Sequence, residues 1–370
     1  MTQASKHCVF VVPSLGKGGA QRATVAVANE LAMSLPKVKV TLISLKNDAV
    51  KFDVHPDIIV KALNTSSFRR SLWSLTQELK MLKPSAVYSA LWHVNLLVSL
   101  SHLILRLKCS GSFYHIASVH NNPSRIMATE NRILSFLSYY IFSHLPRNVV
   151  AVSQGVQRHL INKCGLRESK VVYIPNIAIT RDHESQMSVP VFLPPNFKDK
   201  EFVIWVGRFD FQKNPIKFVD AVALTRSKAV MVGDGPMKPN VLARIEKLEL
   251  QDRIICLPFT KNIMPLMREA KALVMTSRFE GFGLVLVESL YAGTPVISND
   301  CNYGPAEIIK DRKNGLLLRA DASPLCFAKA INTFYDEDEL YQSLRRHAKD
   351  SVSNYHYASL LNEYRRVLRL

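Results

Sequence analysis

Short runs rich in Val, Ile and Ala recur along this chain, separated by segments whose apolar residues follow helical spacing. Runs of this kind, buried on both faces and joined by helices, build parallel sheets. In the first half they fall at Val9–Pro13, Val38–Ser44, Ile58–Ala62, Ala86–Ala90, Ile116–Val119, Val149–Val152 and Val171–Ile174. The pattern breaks in the polar, proline-bearing stretch "TRDHESQMSVPVFLPPNFKDK", about residues 180 to 200, which reads as a linker. It then restarts with Phe202–Val206, Ala229–Val232, Ile254–Leu257, Ala272–Met275 and Pro295–Ser298. The expected fold is therefore α/β, with two Rossmann-like parallel-sheet domains facing each other across a cleft. Their expected limits are residues 1–180 and 181–348, followed by a C-terminal helix over 349–370 that packs back on the first domain. A length of 370 residues agrees with two domains rather than one core.

Charge is shared unequally. Residues 1–180 hold 21 Lys and Arg against 7 Asp and Glu, a net of +14, and the remaining residues hold 27 against 23, a net of +4. The first half should attract an anionic partner, while the second is ordinary. Six cysteines stand at 8, 109, 164, 256, 301 and 326, none at metal-ligand spacing from another. They read as small core residues in a reducing cytosol. The opening "HCVFVVPSL" reads as a buried strand rather than a signal peptide.

Three stretches carry chemistry. "GKGGAQR" follows the first strand and opens a helix, so the amides of Gly18 and Gly19 can cradle a phosphate; a plain tight turn explains it equally well. "FVIWVGRFDFQKNP" releases Arg208 and Lys213 beyond a strand end, where open α/β sheets bind ligands. Arg as a fork and Lys as a point charge suit a diphosphate, against the alternative of two solvated surface charges. "SRFEGFGLVLVESLYAGTPVIS" is the most constrained. A loop holding Glu280 and Gly283 leads into a helix starting near Leu284 and stopped by Gly293, and Glu288 lies about one turn inside, among Val and Leu. A buried carboxylate is costly unless something pairs with it or binds it.

The two acids eight residues apart in "EGFGLVLVESLYAGTPVIS", with "GPAEII", "GGAQR", "VGRFDFQKNP", "VGDGP" and "YIPN", resemble the signature of glycosyltransferase family four, retaining enzymes of the GT-B fold. The resemblance extends over most of the chain. It implies that Glu288 bonds the ribose hydroxyls of a sugar nucleotide and that Glu280 contacts donor-sugar hydroxyls. It further implies that Arg208 and Lys213 hold the diphosphate, helped by the amides of Gly283 and Leu284 and by the Gly18–Gly19 loop. His120, in "ASVHNNP", matches the family's histidine near the reacting sugar. Ser289 and Tyr291 depart from the alanines of many relatives without touching a ligand position. Side-chain cations then stand in for a metal, so no cofactor is expected. The Asp336–Asp338 triplet reads as helix-start acids rather than a metal motif.

A basic first domain would take a lipid-linked or other glycan acceptor, and its basic, aromatic stretches suit an anionic membrane surface. These are "FRRSLWSLTQELKMLKP", with Arg69, Arg70 and Trp73, and "RILSFLSYYIFSHLPR", from Arg132 to Arg147. No apolar run is long enough to span, so a peripheral protein on the cytoplasmic face is expected, with a nucleotide-sugar donor, UDP-linked, as the other partner. The alternatives are a catalytically silent sugar-nucleotide-binding module and a nucleic-acid-binding protein. The second lacks zinc spacing and an RNA-recognition signature, so no nucleic acid is expected.

Overall fold

In the computed structural model, residues 6–16, 18–48, 50, 52–120, 140, 144–191, 197 and 201–370 are described. Backbone contacts divide the chain into two compact units: Met1–Ile177 with Tyr357–Leu370, and Ala178–His356.

The first unit holds a seven-stranded parallel sheet. Its strands are β1 (His7–Val12), β2 (Lys39–Ser44), β3 (Ile59–Ala62), β4 (Ala86–Ala90), β5 (Tyr114–Val119), β6 (Asn148–Ala151) and β7 (Val171–Tyr173), in the order β3-β2-β1-β4-β5-β6-β7. Central strands such as β1 and β4 are buried along their whole length, which is why their sequence shows no alternation. One face packs Phe10, Tyr88 and Ile116 against helices Gly19–Ser34 and Tyr357–Leu368. The other packs Val9, Val11 and Val87 against helices Phe68–Leu82 and Trp92–Leu107. The terminal helix spans 357–368; residues 350–355, read from sequence as part of it, form a tight 3-10 stretch within the second unit.

The second unit holds a six-stranded parallel sheet of β8 (Phe202–Val206), β9 (Lys228–Val232), β10 (Ile254–Leu257), β11 (Ala272–Met275), β12 (Val296–Asn299) and β13 (Gly315–Leu318), ordered β10-β9-β8-β11-β12-β13. Trp205, Phe209, Phe218 and Phe334 fill its core. Two parallel-sheet Rossmann-like units are the α/β architecture expected of this sequence. The stretch read as a linker is not all linker: Arg181–Gln186 is helical, capped by Thr180 and His183, and belongs to the second unit.

Both sheets grow outward from an inner strand in two directions. The direction reverses between β1 and β4 in one, and between β8 and β11 in the other. Loops leaving such a pair part to opposite faces and open a crevice at the carboxyl ends, where ligands bind in folds of this type. In the second sheet the "VGDGP" turn after β9 closes onto the loop after β8. Gly233 has φ +145°, and a Cβ there would stand 1.9 Å from the Gly207 carbonyl oxygen. Only glycine fits. Gly233→Ala is expected to destabilise the second unit by about 2–4 kcal/mol, combining backbone strain with a clash against rigid backbone. Scanning calorimetry checks it; an unchanged midpoint would contradict the account.

Candidate functional site

In the second unit, the crevice between β8 and β11 gathers the residues singled out from sequence. Arg208 and Lys213 lie on the loop after β8; Glu280, Gly283 and Leu284 lie on the loop after β11 and the helix it opens. Side chains stitch the two loops together. Thr276 donates its hydroxyl to the carbonyls of Lys213 and Asn214, at 3.2 and 3.0 Å. The Arg278 amide donates to the Gln212 carbonyl, and the Gln212 side chain donates to the Phe279 carbonyl.

Glu280 is 6% exposed, and its Oε1 accepts from Lys213 Nζ at 2.5 Å and from Ser277 Oγ at 2.6 Å. A nearly buried carboxylate thus has a cation and a hydroxyl on one oxygen, which fixes its plane. Its backbone is held from the far side: the Glu280 amide donates to Asn302, and the Tyr303 amide donates to Glu280. Gly304, the glycine of "GPAEII", permits this contact, since a Cβ there would stand 2.0 Å from the Phe282 carbonyl oxygen.

Arg208 is well exposed, and its Nε donates to Asp210 Oδ2 at 2.5 Å. The other oxygen of Asp210 accepts the Lys213 amide at 2.9 Å. One carboxylate therefore orders both cationic positions. Sequence reading missed Asp210 and Ser277; each sits within three residues of a residue it orders, and that spacing was the available signal.

The helix Leu284–Tyr291 begins at Gly283, φ +104°, with no side-chain cap. Its first amides and the positive end of its dipole point back along the chain toward the Glu280 loop. Glu288 lies in its second turn and is 1% exposed. His183, from the helix in the expected linker, brings Nε2 to 3.7 Å from Glu288 Oε1. His183 Nδ1 accepts the Thr180 amide at 3.2 Å, so in the neutral ring the proton is on Nε2, facing the carboxylate. The sequence treats His183 as linker, and its only trace there is the Thr-x-x-His spacing of the cap.

In the first unit, Gly18 and Gly19 are exposed at the start of helix Gly19–Ser34, again with no side-chain cap. His120 follows β5 and is 7% exposed, with Nε2 2.8 Å from Ser118 Oγ. Burial pushes its pKa down from 6.5 to about 4, so the ring is neutral at pH 7. Arg69, Arg70, Trp73 and Arg147 are exposed, Trp73 at 68%. Arg132 lies outside the described residues.

Among the described residues, no cluster of three or more His, Cys, Asp or Glu could hold a metal ion, and no helix is long and apolar enough to cross a membrane. Asp338 starts the helix Asp338–Ala348, as a helix-start acid would, but Asp336 ends the preceding helix Pro324–Asp336. The cysteines are free and not uniformly core: Cys8 and Cys301 are buried, whereas Cys109 and Cys326 are exposed.

His120 generates a pH prediction. Its folded pKa is depressed, so between about pH 4 and 6.5 the unfolded chain binds more protons and stability rises with pH. The stability due to neutral His120 is present above about pH 6.5 and lost as pH falls toward 4, about 3 kcal/mol in full. His120→Gln should flatten the stability profile across that window in urea titrations; an unchanged slope would contradict the burial of a neutral ring.

Residues 17–180 match the family model described as Glycosyltransferase Family 4, and residues 193–351 match Glycosyl transferases group 1. The chain is 27% identical over 349 residues to the N-acetylgalactosamine-N,N'-diacetylbacillosaminyl-diphospho-undecaprenol 4-alpha-N-acetylgalactosaminyltransferase of Campylobacter jejuni, covering 91% of this chain and 92% of that protein. It is 24% identical over 375 residues to a second alpha-1,4-N-acetyl-D-galactosaminyltransferase of that organism, covering 97% of each. The structure superposes on Anabaena HepE in complex with UDP and glucose with a TM-score of 0.81 at 17% identity, covering 98% of this chain and 99% of that one. These matches take in both halves of the sequence and both sheets, and the chain belongs to glycosyltransferase family four, with the GT-B fold.

Proposed function

We propose that the chain is a retaining, metal-independent glycosyltransferase moving a hexose or N-acetylhexosamine from a UDP-sugar to a lipid-linked glycan. The observation that carries the donor half is the ordered pair of loops after β8 and β11. It assembles two cations, Arg208 and Lys213, a fixed carboxylate, Glu280, and an uncapped helix start at Gly283. Negative charge grows on a departing diphosphate as the glycosidic bond breaks. Preformed cations and backbone amides stabilise that charge without reorganising, which is the task a divalent metal would otherwise perform. Lys213 has three N–H donors, so it can keep Glu280 and still bond a phosphate oxygen. In this reading Glu280 takes donor-sugar hydroxyls, Glu288 takes the ribose, Gly18 and Gly19 offer amides to phosphate, and His120 contacts the reacting sugar.

The acceptor half draws on the relatives, whose names specify diphospho-undecaprenol-linked glycans. It draws also on the helix Phe68–Leu82. Arg69, Trp73, Gln77 and Met81 recur every fourth residue along one exposed face, with Trp73 and Met81 at 68% and 66% exposure. Arg69 and Arg70 occupy the first turn, at the positive end of the helix dipole, with no acid beside them in that turn. Cations placed there are electrostatically unfavourable, and an anionic surface offsets that cost. Peripheral attachment to the cytoplasmic face of a membrane follows from this reading.

Two measurements test it. Incubation with UDP-, GDP- and ADP-sugars and a polyprenyl-diphosphate-linked glycan should yield an α-linked product from a UDP-sugar, with activity surviving EDTA. Arg208→Ala and Glu288→Gln should each weaken UDP binding, by about 1.5–3 kcal/mol for the charge-assisted contact. Loss of activity in EDTA with rescue by Mn²⁺, or unchanged UDP affinity in both variants, would overturn the donor site. Separately, the protein should sediment with anionic but not neutral liposomes, partly released by salt. The combined Arg69→Glu and Arg70→Glu variant should lose this binding and keep UDP affinity; equal binding to both vesicle types would remove the electrostatic argument.

A further inference from the structure

The helix Arg181–Gln186 is polar and too short to be stable by itself, and it buries no apolar stripe. It is nevertheless tied to the second unit at three points. Ahead of it, the amides of Ala178 and Ile179 donate to the Tyr355 carbonyl at 3.1 and 3.3 Å. Within it, Glu184 Oε1 stands 2.9 Å from His356 Nε2. Behind it, the Arg268 guanidinium donates to the carbonyls of Met187 and Val189. These anchors converge on the helix that carries Glu288. The stretch Asp350–Tyr355 packs on helix Leu284–Tyr291, with the Tyr355 ring edge-on to Phe282 at 5.3 Å. Arg268 belongs to helix Met264–Glu269, which packs on the same helix.

What the anchored segment delivers is the ring of His183. Its Nε2 lies 3.7 Å from Glu288 Oε1, with the two side chains 13% and 1% exposed. That separation is longer than a hydrogen bond and too short to admit a water, so the groups face each other directly. The opposite nitrogen, Nδ1, accepts the Thr180 amide at 3.2 Å and lies 3.0 Å from Thr180 Oγ1. An amide can only donate, so the cap leaves the proton of the neutral ring on Nε2, aimed at the carboxylate. Capping boxes ordinarily use Glu or Gln at the position of His183. A Glu there would set a second carboxylate against Glu288; the histidine satisfies the cap and offers an N–H instead.

We propose that His183 is a positioning residue for the nucleotide donor: its capped ring orients the Glu288 carboxylate so that it meets the ribose hydroxyls in one geometry. The inference rests on the assignment of Glu288 to the ribose and extends it to the residue that orders Glu288. The neighbours Leu286, Val287 and Leu290 are buried and confine the side chain, but apolar contacts do not set the plane of a carboxylate. A carboxylate ordered only when the nucleotide arrives would lose affinity to that ordering, and a preset one does not.

The test reads the ribose contact by itself. Full-length protein is titrated calorimetrically with UDP and with 2′,3′-dideoxy-UDP, which lacks the hydroxyls. The wild type should bind UDP more tightly, and the ratio of the two dissociation constants measures the contact. His183→Asn keeps an acceptor where Nδ1 stood and has nothing where Nε2 stood. It should lower the ratio about fivefold, through weaker UDP binding at unchanged dideoxy-UDP affinity. His183→Gln keeps an acceptor for the cap and carries an amide N–H in place of that of the ring; it should retain most of the ratio. An unchanged ratio in His183→Asn would overturn the proposal. So would equal losses of the ratio in both variants, or a parallel loss of both nucleotides, since either would make the ring a packing element. A wild type that binds the two nucleotides alike would overturn the ribose assignment of Glu288 itself, so the two failures are told apart.

Discussion

A parallel sheet cannot be closed by hairpins; each strand must return through a crossover before the next can pair. That single constraint sets where this protein can hold its polar residues. All strands of a sheet point the same way, so every strand-to-helix loop emerges at one edge, and where the order reverses, two neighbouring loops have no crossover covering the space between them. In the second unit those strands are β8 and β11, about 70 residues apart in sequence yet paired in register through Val203 with Ala272 and Ile204 with Leu273. Arg208, Lys213, Glu280 and Gly283 belong to the two loops that emerge there. The apolar runs that make the sheet therefore also determine which polar loops meet.

How much of this was legible follows from how each element is encoded. Buried central strands are written as short, mostly apolar runs, and β4, β8 and β11 fall where those runs predict, as does the edge strand β10 with its two isoleucines. The edge strand β13 was not foreseen. Its sequence, Gly-Leu-Leu-Leu, has no β-branched residue, and its outer half is only partly buried, so the periodicity that marks a strand is absent. The helix Arg181–Gln186 hid for a related reason: it is short and polar, has no fully buried residue, and rests on its cap rather than on an apolar stripe. The cysteines at 109 and 326 show the limit of composition, because a residue type that is buried on average carries no information about one loop or one helix start.

The candidate site was legible residue by residue but not as a system of pairs. Sequence motifs name Arg208, Lys213 and Glu280 as if each awaited a ligand. The structure gives each an internal partner: Asp210 for Arg208, and Glu280 and Lys213 for one another. Those partners are a few residues away in the chain or across the switch point, and pairing of the second kind cannot be seen without the sheet. The pairs have a physical rationale. Charges left unmatched at a partly buried crevice would carry a desolvation cost and repel or scatter, whereas a charge held by an opposite one keeps its geometry until a ligand competes for it. The Lys213–Glu280 contact falls in this class because both ends are largely shielded from water, and the Arg208–Asp210 contact does so less, since the guanidinium remains mostly exposed.

Buried polarity in the first unit obeys a different rule. Among the described residues, Ser89, Asn95, His115, Ser118 and His120 are all nearly inaccessible, and hydrogen bonds link them as Ser89 to Asn95 and His115, Asn95 to the Ser118 carbonyl, and Ser118 to His120. Burial holds the histidines neutral, His115 well below its ordinary pKa and His120 at about 4, so this network contains no charge to be matched. It gains rigidity instead, because each member has few donors and acceptors and each bond assigns one of them. One unit thus orders its crevice side chains by opposed charges. The other orders His120 by a hydrogen bond to Ser118 between neutral groups. The two sheets therefore hold their buried polar residues by different means, ion pairs in one and neutral hydrogen bonds in the other.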